Sequence, residues 1–152
     1  MPANGPVRTG RWTTASVEVR VGGGFEELPL LRAVTEAVAL LGDFTLDEVS
    51  DVTLAVDEVC SVLIRDALPG AELVCRLTPT VGALRVGVST DTATDHHPDE
   101  RTFGWHVLRT LTDNLSAHRY PLDPNGFRTD VGFVKTGDGG GPPTPPFVTP
   151  SG

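Results

Sequence analysis

One carboxylate on a long amphipathic segment is where this sequence offers chemistry. Glu58 lies in Asp51-Val52-Thr53-Leu54-Ala55-Val56-Asp57-Glu58-Val59-Cys60-Ser61-Val62-Leu63-Ile64-Arg65-Asp66-Ala67-Leu68. A helical carboxylate can activate water or a hydroxyl beside a metal-bound phosphate when a second polar ligand sits one turn away. The residue one turn on from Glu58 is Val62, and an isopropyl group binds no metal. Ser61 and Asp57 are the neighbours with oxygen to offer. The plainer alternative for Glu58 is a solvated helix acid.

Other groups with reactive side chains carry less. The run Asp95-His96-His97-Pro98-Asp99-Glu100 matches no tetrahedral ligand spacing, which favours a solvated loop over a metal site. His106 and His118 stand singly in amphipathic segments and read as packing or surface residues. Cys60 and Cys75 fall in an apolar helix and an alternating segment, the pattern of buried reduced thiols and not of a disulfide or metal pair.

The elements that must position Glu58 follow from periodicity. Val49, Val52, Val56, Val59 and Leu63 recur at intervals of three and four, one apolar stripe along a helix, with Asp51, Glu58, Ser61 and Arg65 on the other side. Thr45 followed by Glu48 has the pattern of a capping box, and Pro69-Gly70 ends the helix. Upstream, Val17, Val19 and Val21 alternate with Glu18 and Arg20 as a half-buried strand that Gly22-Gly23-Gly24 stops. Leu28, Leu31, Val34, Val38 and Leu41 mark a helix over 25–41, with Pro29 in its first turn.

Downstream, Leu73, Cys75 and Leu77, then Leu84, Val86 and Val88, alternate around a turn at Thr80-Val81-Gly82, predicting a hairpin. Residues 91–101 are polar, a surface loop or a functional lid. A helix is predicted over 103–115 and two strands around 117–120 and 127–135. The order is strand, helix, helix, strand, strand, helix, strand, strand. It predicts an α+β two-layer sandwich, a mixed and largely antiparallel sheet with helices covering one face.

Composition bounds the rest. The 152 residues, 39% hydrophobic, suffice for one domain, expected over 14–136 between a loose arm at 1–13 and a disordered Gly/Pro-rich tail at 137–152. A net charge of −8 with no basic stripe argues against nucleic-acid binding. No apolar leader or bilayer-length segment is seen, so a cytoplasmic protein with no membrane partner is expected.

Taken together, Glu58 on its helix, the loop after the hairpin and the helix that follows resemble the GHKL-type (Bergerat-like) ATPase domain of RsbW-type anti-sigma factors. Residues 54–69 and 103–115 are similar to the actinobacterial, UsfX-like anti-sigma-F branch, and the resemblance spans about residues 15 to 135. It implies a protein that sequesters an alternative sigma factor of RNA polymerase and is relieved by an anti-anti-sigma protein of STAS type. It also implies a homodimer, a role in stress or sporulation control, and ATP or ADP with magnesium as cofactor.

Residue by residue, Glu58 matches the general base for phosphorylating a serine of the anti-anti-sigma partner. Val62 stands where an Asn would hold magnesium, which requires hard oxygen ligands. The adenine-reading motif falls at Asp91-Thr92-Ala93-Thr94-Asp95, with Asp91 as the adenine acceptor and Ala93 and Asp95 in place of glycines. Gly104 keeps one glycine of the later nucleotide box, with Thr102 where another belongs, and Gly104 serves equally as a helix entry. Thr129 corresponds to a threonine of the last long strand. Arg32 lies where the family places an arginine that contacts both partners, and an exposed helix charge is its alternative. These departures imply a degenerate ATP site and sequestration by binding. An active Mg-ATP-dependent serine kinase is the alternative, and a sensor-kinase fragment is disfavoured because no dimerisation helices precede the domain.

Overall fold

Eight elements arise from the two periodicities. The computed structural model describes residues 16–93 and 103–138. The elements are β1 (Val17–Gly22), α1 (Leu28–Leu41), α2 (Leu46–Asp66), β2 (Glu72–Thr80), β3 (Ala83–Thr92), α3 (Phe103–Leu111), β4 (Asp113–Pro121) and β5 (Phe127–Thr136), with a 3₁₀ turn at Phe25–Glu27 before α1. The strands form one sheet in the order β1-β2-β3-β5-β4. Every ladder is antiparallel, so the sheet is not mixed: each strand meets its neighbour through a hairpin or a return across the helical layer, and none through a parallel crossover.

The α2 stripe supplies the centre of the core. Val52 and Val56 are wholly buried, and Val49, Val59 and Leu63 nearly so. They meet Leu73, Cys75 and Leu77 of β2, Leu84, Val86 and Val88 of β3, and Val131 and Phe133 of β5 in one cluster. Alternation sends the remaining strand residues to the opposite face, where Glu18, Arg20, Arg76 and Arg85 are exposed. That outer face carries ion pairs from Arg20 to Glu18 and Glu72 and from Arg76 to Glu18. At such exposure these pairs contribute little stability.

Local signals set the boundaries. The Thr45 hydroxyl accepts from the Glu48 N–H at 3.2 Å while a Glu48 carboxylate oxygen accepts from the Thr45 N–H at 2.8 Å, a complete capping box. The other Glu48 oxygen accepts from the Asp138 N–H at 2.5 Å, tying the start of α2 to the chain beyond β5. Gly82 turns the β2–β3 hairpin at φ 74°, a conformation a β-carbon disfavours.

Several boundaries differ from expectation. The first helix begins at Leu28, three residues late, because Phe25–Glu27 winds as a 3₁₀ turn. The predicted helix over 103–115 stops at Leu111, and the strand expected from 117 begins at Asp113. There the Thr112 hydroxyl donates to the Leu108 carbonyl at 2.6 Å, closing the last turn. Asn114 then adopts φ 50° beside a register shift between Asp113 and Ser116. Leu115 still packs against the core, from a strand instead of a helix, which is why its spacing imitated helical periodicity. The expected arm, the tail beyond Asp138 and most of the 91–101 loop, with Thr94, Asp95, the 96–100 run and Thr102, lie outside the described residues.

The Glu48 bonds carry a pH signature. Burial raises its carboxyl pKa, but the bonds from Asp138 and Thr45, aided by Lys135, outweigh it and hold the group below its ordinary value. A depressed folded-state pKa stabilises above the unfolded pKa and loses that contribution as pH falls through the folded value. Glu48→Gln is expected to be less stable than wild type above about pH 5. The gap should close as pH falls further, measured by urea unfolding across a pH series.

Candidate functional site

The side chains that could do chemistry are arranged by α2. Its apolar stripe faces the sheet, which leaves Asp57, Glu58, Ser61 and Val62 half-buried along its flanks. Two of these residues reach neighbouring helices. Asp57 turns to α1 and accepts from the Nε–H of Arg32 at 2.8 Å. Glu58 turns to α3, where its Oε1 lies so near Gly104 that a β-carbon there would stand 2.5 Å from it. Gly104 is therefore a close-approach position, and the structure brings together two of the residues singled out in the sequence.

Thr129 lies on the helix-facing side of β5, in phase with Val131 and Phe133, and is buried. The Thr92 hydroxyl donates to the Phe127 carbonyl at 3.3 Å. The Thr92 and Thr129 hydroxyls lie 2.9 Å apart, so with that proton committed Thr129 is the donor between them. Arg119 is the cross-strand neighbour of Thr129, and its guanidinium stacks 5.2 Å from the centre of the Phe127 ring. Its Nε is buried and makes no hydrogen bond among the described residues.

Asp91 is not part of this group. It lies between Thr90 and Thr92, both buried toward the helices, so alternation turns it to the outer face. There it accepts from the Nε–H of its cross-strand partner Arg128 at 2.7 Å. Thr92, Arg119 and Phe127 are the residues the sequence reading passed over. Continuing the alternation of Leu84, Val86 and Val88 by two steps each time would have reached Thr90 and Thr92.

The donor set does not fit a magnesium–nucleotide pair. Val62 offers no oxygen, Asp57 is committed to Arg32, and Asp91 faces the other side of the sheet. No three His, Cys, Asp or Glu side chains converge among the described residues. Magnesium demands near-octahedral oxygen ligation, which these side chains do not supply. What the arrangement does provide is positioning. Asp57 holds Arg32 on the outside of the helical layer, and Glu58 lies close against α3 at Gly104.

The thiols are inert by burial. Desolvation, with Cys75 and Asp57 adding to it, pushes the Cys60 thiol far above its usual range, and desolvation raises Cys75 to about 12. Both are free and buried. His106 and His118 are exposed. No helix among the described residues is long and apolar enough to cross a membrane.

Comparison with known proteins places the chain among relatives. No family model matches it. The anti-sigma-F factor RsbW of Mycobacterium tuberculosis, from strain CDC 1551 / Oshkosh and from strain ATCC 25618 / H37Rv, is 37% identical over 121 residues. In each case the match covers 80% of this chain and 72% of the relative.

The Glu58–Gly104 contact gives a sign test. Alanine in place of a helical glycine is worth about 1 kcal/mol by propensity, while displacing the Glu58 side chain from its rotamer costs about 0.5–1.5 kcal/mol. Gly104→Ala should leave stability near wild type in the native background. In a Glu58→Ala background the same change should stabilise, with chemical denaturation as the measurement.

Proposed function

The chain belongs to the RsbW-type anti-sigma factors, in the actinobacterial anti-sigma-F branch, and from that premise we propose that it binds and sequesters an alternative sigma factor of RNA polymerase. The observation that carries the proposal to a surface is the outward side of α1. Arg32, Ala33, Glu36, Ala37 and Leu40 are all exposed there, and Leu40 keeps 51% of its surface accessible although the core beneath is full. Small alanines between a leucine and an arginine make a shallow apolar strip with a charged margin, a shape that accepts a partner helix.

Arg32 is the proposed anchor. Its Nε–H is committed to Asp57, which fixes the plane of the guanidinium and leaves the terminal amino groups for a partner carboxylate. A pre-oriented fork loses less entropy on binding than a free side chain. The proposed antagonist, an anti-anti-sigma protein of STAS type, would compete for the same strip, in the cytoplasm where the polymerase works. A two-fold assembly of this chain is part of the same proposal.

Binding, and not phosphoryl transfer, is the favoured mode of control. Kinase chemistry rests on metal positioning and charge stabilisation, and the residues around Glu58 supply neither at Val62. Residual ATP or ADP binding near Thr129 and Gly104 is compatible with this reading, provided it does not require magnesium.

Three experiments test the proposal. Arg32→Ala should raise the dissociation constant for the cognate sigma factor about ten-fold or more, the loss typical of an anchoring arginine. Asp57→Asn should have a smaller effect in the same direction. The partner is found by co-expression with candidate sigma factors from the source, and failure to capture any of them sinks the assignment. Titration calorimetry with ATP should show no magnesium-dependent heat, and magnesium-dependent binding in the micromolar range would revive the kinase reading.

A further inference from the structure

Two glycines face each other in the middle of the sheet. Gly87 of β3 and Gly132 of β5 are register partners. Glycine inside a strand weakens it, and marks a bulge, a sharp bend or a place where another molecule comes close to the backbone. The β2–β3 and β3–β5 ladders run through this point without a shift. The nearby register shift is taken up on β4, where Asn114 carries the positive φ. Neither Gly87 nor Gly132 has a positive φ; among the described glycines Gly70, Gly82 and Gly126 do.

Packing within the chain does not call for these glycines either. A β-carbon at Gly87 would meet no atom within 4 Å. One at Gly132 would lie 3.4 Å from the Val86 carbonyl oxygen and 3.8 Å from the Ser116 hydroxyl, ordinary contact distances. Conformation and internal crowding are thus both set aside. Close approach from outside is the explanation left for a bare strip of backbone at the centre of an exposed sheet face.

The strip is the floor of a hollow of about 340 Å³. Arg76 and Arg85 wall it on the β2–β3 side, Asn114 and Ser116 on β4. Arg76 is the cross-strand partner of Gly87, and Arg85 precedes Gly87 by two residues on β3. The two guanidiniums are therefore diagonal neighbours across the ladder. Glu18 accepts from one terminal amino group of Arg76 at 3.2 Å, and Arg85 makes no ion pair or hydrogen bond among the described residues. Asp130, two residues from Gly132, stands opposite His118 and does not line the hollow. In a chain of net charge −8, the lining holds two arginines and no carboxylate.

We propose that this hollow binds a small phosphomonoester whose body is a flat ring. Planar guanidinium forks match phosphate oxygens bidentately, and a dianion balances the two arginine charges. The floor lacks only the depth of a side chain, so the body lying on it must be thin. From β2 to β4 is three strand spacings, about 14 Å, room for a phosphate over the arginines and a ring over Gly87 and Gly132. Asn114 and Ser116 then offer hydrogen bonds to polar groups on the far side of the ring. The site lies on the opposite face of the sheet from Glu58, Gly104 and the α1 strip, and it does not rest on the proposed function.

Phenyl phosphate is the probe. Titration calorimetry of the full chain should show one saturable site for it, and none for phenol. Arg85→Gln should raise the dissociation constant about ten-fold or more, the loss expected for hydrogen bonds to a charged group. Gly87→Val should abolish binding by filling the floor, yet unfold in urea at or above the wild-type midpoint, because valine favours a strand. The two readouts then move independently, as a glycine kept for a ligand requires. Absence of saturable heat overturns the site, and so does binding that either substitution leaves unchanged. A Gly87→Val chain that unfolds at lower urea also overturns it, because the glycine would then serve the fold.

Discussion

The burial of one side of α2 is the constraint on which the rest of the molecule hangs. Val52, Ala55, Val56 and Val59 are sealed between the sheet and the other helices, and at about 1.5–3 kcal/mol for each large apolar side chain this packing dwarfs any polar contact nearby. Once the stripe is fixed, the helix cannot rotate. Asp57 must then emerge toward α1 and Glu58 toward α3. The Arg32 ion pair and the Glu58–Gly104 contact are consequences of that orientation more than causes of it. Lys135 adds a second tie at the lower end of the helix, donating to Asp51 and to the Leu111 carbonyl at 3.2 Å each.

Much of this was legible in the residues. The α2 stripe, its capping box, the β2–β3 hairpin and the order of all eight elements follow from spacing alone, because each periodicity was long and its stop signals unambiguous. Failures came where two periodicities overlap. Leu111 and Leu115 stand four apart, as in a helix, yet α3 ends at Leu111 and β4 begins at Asp113, with Asn114 at positive φ in the strand's first residues. A positive φ at a non-glycine residue leaves little trace in sequence.

The site was legible in a different degree. Glu58 and Gly104 meet, and the meeting is local to two helices whose faces could be read. Asp91 was singled out by resemblance to a motif, whereas its surroundings are set by the strand's parity: the residues flanking it face the core, so it lies on the outer face against Arg128. Arg119 and Phe127 were invisible because their contact crosses a hairpin. Cross-strand neighbours depend on register, which a single sequence states only indirectly. Among the described residues, α1 presents Arg32 held by Asp57 on its exposed side, and the position one turn on from Glu58 carries no oxygen.

The parity of β3 also bears on what can change in this chain. The side chain at position 62 can be exchanged by itself, but the face that Asp91 occupies cannot, because the whole strand sets it. Turning Asp91 inward needs a one-residue slip of β3, and such a slip would carry Leu84, Val86 and Val88 out of the core with it. No intermediate along that route keeps a packed interior. Substitutions on the outer face can therefore change what Asp91 meets one residue at a time, while moving Asp91 to the helix-facing side costs the packed interior.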